Sequence, residues 1–199
     1  MITENKHKLK SQESYKKIIE ASFKVFAQHG FDKTSIDLIA KEAGYTKGTF
    51  YLHFTSKEEF FLRLMETRLE KYKKQYEPLL DSNDSMENLI KQGIDIFYKV
   101  SSEDNWIPIF FEFCAHAIRN EKLKEGMSTY YKGWVHLIAS VLQKGVQTNQ
   151  LPKDLNVNEM AAVIIGLLDG RNLQRSFVHN NIDQNKMEQI IKRVIGLPE

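Results

Sequence analysis

Cysteine is nearly absent from this chain of 199 residues. The single Cys114 excludes an internal disulfide and any zinc site built on several cysteines, and suits a reducing compartment. Proline is scarce too, with only Pro78, Pro108, Pro152 and Pro198, so long helices meet few breakers. No apolar run approaches the length of a bilayer: the longest, Met160 to Leu168, is far too short to span one. No apolar segment follows the basic N-terminus, so no secretion signal and no membrane partner are expected, and the cytoplasm follows by elimination. The six histidines (His7, His29, His53, His116, His136 and His179) form no HxH or HxxxH pair. A G-x-S-x-G elbow and a phosphate-binding glycine loop are also lacking. No catalytic residues, metal or cofactor are therefore expected, and an enzyme is the weaker alternative.

What is present is a globular composition, 42% hydrophobic and 27% charged, with a net charge of only +2. So mild a charge does not announce a polyanion partner, and its distribution matters more. Lys6, Lys8, Lys10, Lys16 and Lys17 stand against Glu4 and Glu13 near the N-terminus. Lys6, Lys8 and Lys10 read as a disordered, solvated arm, although such arms can enter a minor groove.

Strand-like alternation is missing, and apolar residues recur at helical spacing throughout, which predicts an all-α protein of about nine helices. A first helix is expected from about Ser11 to His29, with Gly30 as a left-handed cap. Thr34-Ser35-Ile36-Asp37 reads as a capping-box-like start with Thr34 as the cap. That helix runs to Ala43, and a further short one from near Thr46 to near His53. Ser56-Lys57-Glu58-Glu59 opens a long helix with the stripe Phe61, Met65, Leu69, Tyr72 and Tyr76, ending before Pro78. Larger helices follow, one starting after Asp84, one from about Trp106 to Arg119, and one from about Glu121 to Thr148 with a possible break at Gly126. The last two run from Asn156 to about Val178 and from Gln184 to Ile195.

Residues 34–54, TSIDLIAKEAGYTKGTFYLHF, place two short helices around a tight turn at Gly44-Tyr45. Ile39, Ala43, Phe50 and Phe54 supply inner faces that Phe23 and Phe26 can cover. This is helix-turn-helix patterning, whose second helix enters a major groove. On that second helix Thr46, Lys47, Thr49, Tyr51 and His53 are hydrogen-bond donors, and Gly48 leaves room for close backbone approach. Thr34 and Ser35 can help hold a phosphate at the preceding helix start, and Lys57 can add another contact. Taken singly, Tyr51 or His53 is as readily a surface or packing residue.

Residues 18–62, IIEASFKVFAQHGFDKTSIDLIAKEAGYTKGTFYLHFTSKEEFFL, closely resemble the DNA-binding domain of the TetR/AcrR family of bacterial regulators. The resemblance is carried by Ala21, Phe26, Gly30-Phe31, Thr34, Ile39-Ala40, Ala43-Gly44, Lys47-Gly48-Thr49-Phe50-Tyr51, His53-Phe54 and Lys57. It implies a three-helix helix-turn-helix domain at 11–71 (motif 34–53) and a larger helical effector-binding and dimerisation domain at 72–199. It also implies a homodimer on a palindromic, double-stranded operator, with DNA contacts from Thr34, Ser35, Thr46, Lys47, Gly48, Thr49, Tyr51, His53 and Lys57. The implied function is a sequence-specific transcriptional repressor released by a small lipophilic ligand. A constitutive DNA-binding or protein-interaction module without an effector is the alternative.

Beyond residue 75 the resemblance loosens to WIPIFFEFCAHAIR at 106–119, the aromatics around 130–134 and Gly166-Leu167-Leu168-Asp169-Gly170. The residues expected to line an effector pocket are Phe61, Met65, Phe97, Trp106, Phe110, Phe113, Cys114, His116, Met127, Tyr130, Tyr131 and Trp134, though aromatics at helical spacing equally make a core. Glu112, His116 and Asp95 are the expected polar groups, and carboxylates beside aromatics would suit a cationic lipophile. Ala162, Gly166 and Gly170 recur every four residues on a helix that is apolar nearly all round. With Ile165, Asp169 and Leu173 they mark an expected dimer face, the alternative being packing within one chain.

Overall fold

The computed structural model describes residues 2–178 and 182–197, with side chains except those of 2–8 and 104. His179, Pro198 and the side chains of Lys6, His7 and Lys8 therefore lie outside the described residues. Among the described residues there are nine α-helices and no strand. They are α1 (Ile2–Lys33), α2 (Ile36–Glu42), α3 (Lys47–Tyr51), α4 (Lys57–Asp81), α5 (Met86–Ser101), α6 (Trp106–Ala117), α7 (Glu121–Gln147), α8 (Val157–Arg175) and α9 (Gln184–Val194). None is long and apolar enough to cross a membrane.

The chain forms two compact units. One comprises residues 1–65 and 104–124; the other comprises 66–103 and 125–199. Expected functional domains divide at 71/72, whereas the compact units divide at 65/66 and place α6 with the N-terminal helices.

In the first unit, Phe26 packs on Phe31, Phe60 and Phe61, and Phe61 stacks on Phe113 at 4.3 Å between ring centroids. Ile39, Ala40, Phe50 and Phe54 are buried, which holds α2 and α3 in place. At seven and five residues those helices are too short to persist alone, so this packing is what stabilises them. The turn between them closes as a Schellman motif. Gly44 has φ 77, Tyr45 N–H donates to Ala40 O at 2.8 Å, and Gly44 N–H donates to Lys41 O at 3.1 Å.

Several boundaries differ from expectation. Helix α1 begins at Ile2 rather than near Ser11, because the Lys-, Glu- and Gln-rich start contains no glycine or proline to stop it. The expected solvated arm is thus helical in its backbone. Gly30 takes the left-handed φ of 74, yet helical bonding resumes beyond it to Lys33. The cap of α2 is Ser35, not Thr34: Ser35 Oγ accepts the Leu38 N–H at 3.2 Å. Thr34 is buried instead, and its hydroxyl donates to Gly30 O at 2.6 Å.

In the second unit, Tyr72, Phe97 and Trp134 form an aromatic centre, with Tyr72 and Trp134 at 4.4 Å. Helix α4 runs through Pro78 rather than ending before it. Proline removes one N–H there, and the final carbonyls find another donor. Lys144 Nζ donates to Leu79 O at 3.2 Å and Leu80 O at 2.7 Å, and also to Ser82 O. Helix α7 is unbroken at Gly126, and Met127, Tyr130 and Trp134 form a buried stripe just beyond it.

Candidate nucleic-acid interface and ligand region

Helix α3 buries Phe50 and turns its remaining residues outward. Thr46, Lys47, Gly48 and Tyr51 are exposed, and Thr49 is half-buried. Thr46 caps the helix: its Oγ1 accepts the Thr49 N–H at 3.3 Å and lies 3.2 Å from Thr49 Oγ1. Lys47 Nζ donates to Asp37 Oδ2 at 3.0 Å, and the Asp37 carboxylate raises the lysine's pKa. Both partners are exposed, so water or a phosphate can replace either readily. Gly48 needs no special conformation, and a Cβ there would meet only Thr46 Oγ1 at 3.6 Å, an ordinary contact.

The other expected contacts are placed differently. His53 Nε2 lies 2.8 Å from Ser14 Oγ, and burial lowers the imidazole pKa, which favours the neutral ring. Lys57 Nζ donates to Phe31 O at 2.9 Å, Thr34 O at 3.2 Å and Asp32 O at 3.4 Å, and lies 4.3 Å from the Phe31 ring centroid. Those carbonyls use the ammonium's donors to hold the α1–α2 connection. Ser35 is exposed, whereas Thr34 is 2% exposed with its hydroxyl spent on Gly30. Sequence reasoning missed Ser14, whose pairing with His53 spans 39 residues, and Leu52, which is 81% exposed at the end of α3. Glu112, an expected polar group of the pocket, is engaged elsewhere. Its carboxylate accepts the Phe31 N–H at 2.7 Å and the Asp32 N–H at 2.9 Å. These two donors follow the kink at Gly30 and would otherwise be orphaned.

The expected pocket residues fall into two sets. Phe61, Met65, Trp106, Phe110 and Phe113 are buried in the first unit, where Cys114 is half-buried and His116 is exposed. Phe97, Met127, Tyr130 and Trp134 are buried in the second unit, and Tyr131 is half-buried there. The expected polar groups are engaged elsewhere. His116 Nε2 lies 2.5 Å from Asp32 Oδ1, while Asp95 accepts from Lys91 at 3.2 Å and from Gln184. A cation would have to displace these partners.

On α8 the inward positions are Ala161, Ile164, Ile165, Leu168, Arg171 and Asn172. Ile165 therefore packs into its own chain, contrary to its place on the expected dimer face, because it lies a turn from the buried Ala161 and Leu168. Ala162, Gly166 and Leu173 are exposed, and Asp169 and Gly170 half-buried. A Cβ at Gly166 or Gly170 would meet nothing within 4 Å, so among the described residues no helix packs closely there. Asp169 accepts the Tyr131 hydroxyl at 2.9 Å, and burial raises its carboxyl from 3.8 to about 6.

Known proteins share the fold and the helix-turn-helix. Residues 18–64 match the profile of the bacterial regulatory proteins of the tetR family, and residues 97–196 match that of the BetI-type transcriptional repressor C-terminal domain. The fatty acid metabolism regulator protein of Bacillus subtilis (strain 168) is 23% identical over 155 residues, covering 78% of this chain and 79% of that one. FadR from Bacillus subtilis, solved in complex with stearoyl-CoA, superposes with a TM-score of 0.74 at 19% identity, over 93% of this chain and all of that one. Reduced NemR from E. coli superposes with a TM-score of 0.76 at 21% identity, over 93% of this chain and 98% of that one. With its N-terminal helix-turn-helix and its C-terminal helices both matched, the chain belongs to the TetR family of DNA-binding transcriptional regulators.

Proposed function

We propose that this chain is a cytoplasmic repressor that binds a palindromic operator as a homodimer and leaves it when a small lipophilic ligand binds. Residues 11–71 hold the DNA and residues 72–199 carry the effector and dimer functions. The observation that carries the DNA reading is the outward face of α3. Thr46, Lys47, Gly48 and Tyr51 are exposed together, on a helix anchored by a fully buried Phe50. Backbone approach at Gly48 and donors on either side suit a groove. Ser35 adds an exposed hydroxyl at the start of α2. Thr34, His53 and Lys57 act from behind this face, fixing its supports rather than reaching first for the nucleic acid.

The dimer reading is supported by the outer side of α8, where Ala162, Gly166, Gly170 and Leu173 leave open space that a second copy can fill. Two heads related by a two-fold axis read two half-sites about one helical turn (roughly 34 Å) apart. The ligand reading is supported by relatives whose ligand or metabolism is lipophilic. The engaged state of Glu112, Asp95 and His116 turns the choice away from a cation.

Selection of bound DNA from a random pool tests the whole reading. The expected product is a two-fold symmetric sequence with that spacing, bound by a species of twice the chain mass. Recovery of asymmetric sequences, or of none, would overturn it.

A further inference from the structure

The second unit contains a narrow cavity of about 40 Å³, lined by apolar side chains from α5, α7, α8 and α9 and by Tyr76 of α4. Its walls include Ile90 and Ile94 on α5, Leu142 on α7, Ile164 and Leu168 on α8, and Ile191 on α9. The one polar side chain in the lining, Tyr76, spends its hydroxyl on Gly93 O at 2.5 Å. Such a lining offers water no partner and stays dry. The volume is far below the roughly 300–1,000 Å³ of pockets for drug-sized molecules, so the cavity suits the end of a slender chain, not a ring system.

A polar cluster lies about one helical turn beyond this cavity on both α5 and α8. Tyr98 follows Ile94 on α5, and Arg171 and Asn172 follow Leu168 on α8. Arg171 is 9% exposed and Asn172 is 4% exposed. Among the described residues, the Tyr98 hydroxyl, Arg171 Nη1 and Asn172 Nδ2 are buried without a hydrogen-bond partner. Buried polar groups are almost always satisfied, so three unmet ones on neighbouring turns of α5 and α8 call for partners that the described residues do not supply. Arg171 is held in position, because its Nε donates to Ile182 O at 2.6 Å. The surrounding charge favours an anion. Burial raises the Tyr98 phenol pKa, and the positive charges of Arg171 and Arg175 act against that rise. The nearby carboxylate, Asp183, already caps α9 by accepting the Lys186 N–H at 2.9 Å.

We propose that the cavity and the cluster form one site for a straight-chain carboxylate, with its methyl end among Ile94, Leu142, Ile164 and Leu168 and its carboxylate on Arg171, Asn172 and Tyr98. A guanidinium and an amide N–H₂ are the donors a carboxylate takes, and a phenol adds a third. The proposal rests on the ligand-released repressor reading above and names the chemical class of that ligand. Both ends of the site draw on α8, so filling it bears on the helix whose outer side carries the dimer face.

The test uses the full chain with hexanoate, octanoate and decanoate as probes, beside 1-octanol and octylamine. Melting temperature reads binding, and fluorescence anisotropy of a labelled operator reads release. Octanoate or decanoate should raise the melting temperature and release the operator, with the alcohol and the amine about tenfold weaker or worse, the loss expected for one hydrogen bond to a charged group. Tyr98→Phe and Asn172→Leu each remove an unmet polar group, so both variants should fold, keep operator affinity, and bind carboxylates about tenfold more weakly. Equal binding of acid, alcohol and amine would overturn the site, as would carboxylate binding unchanged in both variants. Operator release by a lipophile that ignores both substitutions would overturn this site and leave the repressor reading standing. Failure to bind any symmetric DNA would sink that reading, while the carboxylate-dependent melting shift would still decide the site.

Discussion

The two compact units differ in one region's treatment of its polar groups. In the first unit Glu112 meets the two N–H groups beyond Gly30, Lys57 meets the carbonyls of the same connection, and His53 meets Ser14. Among the described residues no buried side-chain polar atom of this unit lacks a partner, and the polar groups of α3 face outward, held only by exposed partners such as Asp37. In the second unit the α5–α8 region keeps Tyr98, Arg171 and Asn172 unmet, beside an apolar cavity. Recognition on an outer surface needs a rigid, completed support, while recognition in an interior needs unmet groups for the ligand to satisfy.

That contrast breaks most severely at Gly30. Its φ of 74 with ψ of 177 is open to glycine alone, and a Cβ would lie 2.7 Å from Glu112 Oε2. Gly30→Ala therefore strains the backbone and pushes the carboxylate off two N–H groups, costing about 3–5 kcal/mol in total. Urea unfolding should show it as a large fall in midpoint. Glu112→Gln keeps an acceptor for one of the two donors and should cost clearly less. Equal stability of Gly30→Ala and the parent would show that the first unit does not depend on this closure.

The next effect belongs to Asp169. Burial raises its carboxyl from 3.8 to about 6, although the Tyr131 hydroxyl opposes that rise. The unfolded chain releases this proton near its ordinary value, whereas the folded chain holds it to about 6. Between those values the folded state binds more protons, so rising pH removes stability, and the loss is complete above about 6. A shift of about two pKa units corresponds to a cost on the order of 3 kcal/mol. Asp169→Asn keeps an acceptor for Tyr131 and has no charge to bury. It should be more stable than the parent at pH 8, and the gap should close towards pH 4. A gap that stays constant with pH would remove Asp169 from the set of strained interior groups.

How far these features can be read from the chain depends on the range of the interaction. The stripe Phe61, Met65, Leu69, Tyr72 and Tyr76 is written at helical spacing, and all five are buried. Gly44 announces its turn because only its backbone freedom matters there. Thr34 and Ser35 are less legible, since either hydroxyl could cap α2 until Thr34 finds Gly30 O in the folded chain. Lys57 resembles a phosphate ligand as long as its partners, 23 to 26 residues earlier, are unknown. Glu112 reads as a pocket carboxylate until the fold carries Phe31 and Asp32 to it across some 80 residues. Arg171 and Asn172 carry no local mark of burial, because polar residues near the end of a helix ordinarily face water. Caps and stripes are local and therefore legible. A polar group's partner is a tertiary fact.

On the α3 face the expected losses are smaller and concern DNA rather than folding. Lys47→Ala removes an exposed cation whose partner, Asp37, is exposed as well, so folding should barely change. Operator affinity should fall by about tenfold at moderate salt, and the slope of log affinity against log salt should drop by roughly 0.9 if one phosphate contact is lost. Tyr51→Phe should weaken binding less, with only a hydroxyl removed. A salt series in which both variants follow the parent would move the interface away from α3.

Gly48→Ala gives the smallest change in free energy and separates folding from recognition most cleanly. The position is helical, without a positive φ, and a Cβ there lies 3.6 Å from Thr46 Oγ1. Nothing inside the first unit demands glycine, so alanine should stabilise the helix by roughly 0.5–1 kcal/mol, the usual gain from a less flexible unfolded chain. On the operator the same methyl occupies space that the backbone needs for close approach, and affinity should fall. Melting temperature and operator affinity should therefore move in opposite directions from one added carbon. If both rise, Gly48 is a passive surface position and the groove is approached through Lys47 and Tyr51 alone. If both fall, the short helix is under a constraint that its own contacts do not reveal. Only opposite signs fit a first unit whose interior is complete and whose recognition lies on its outer face.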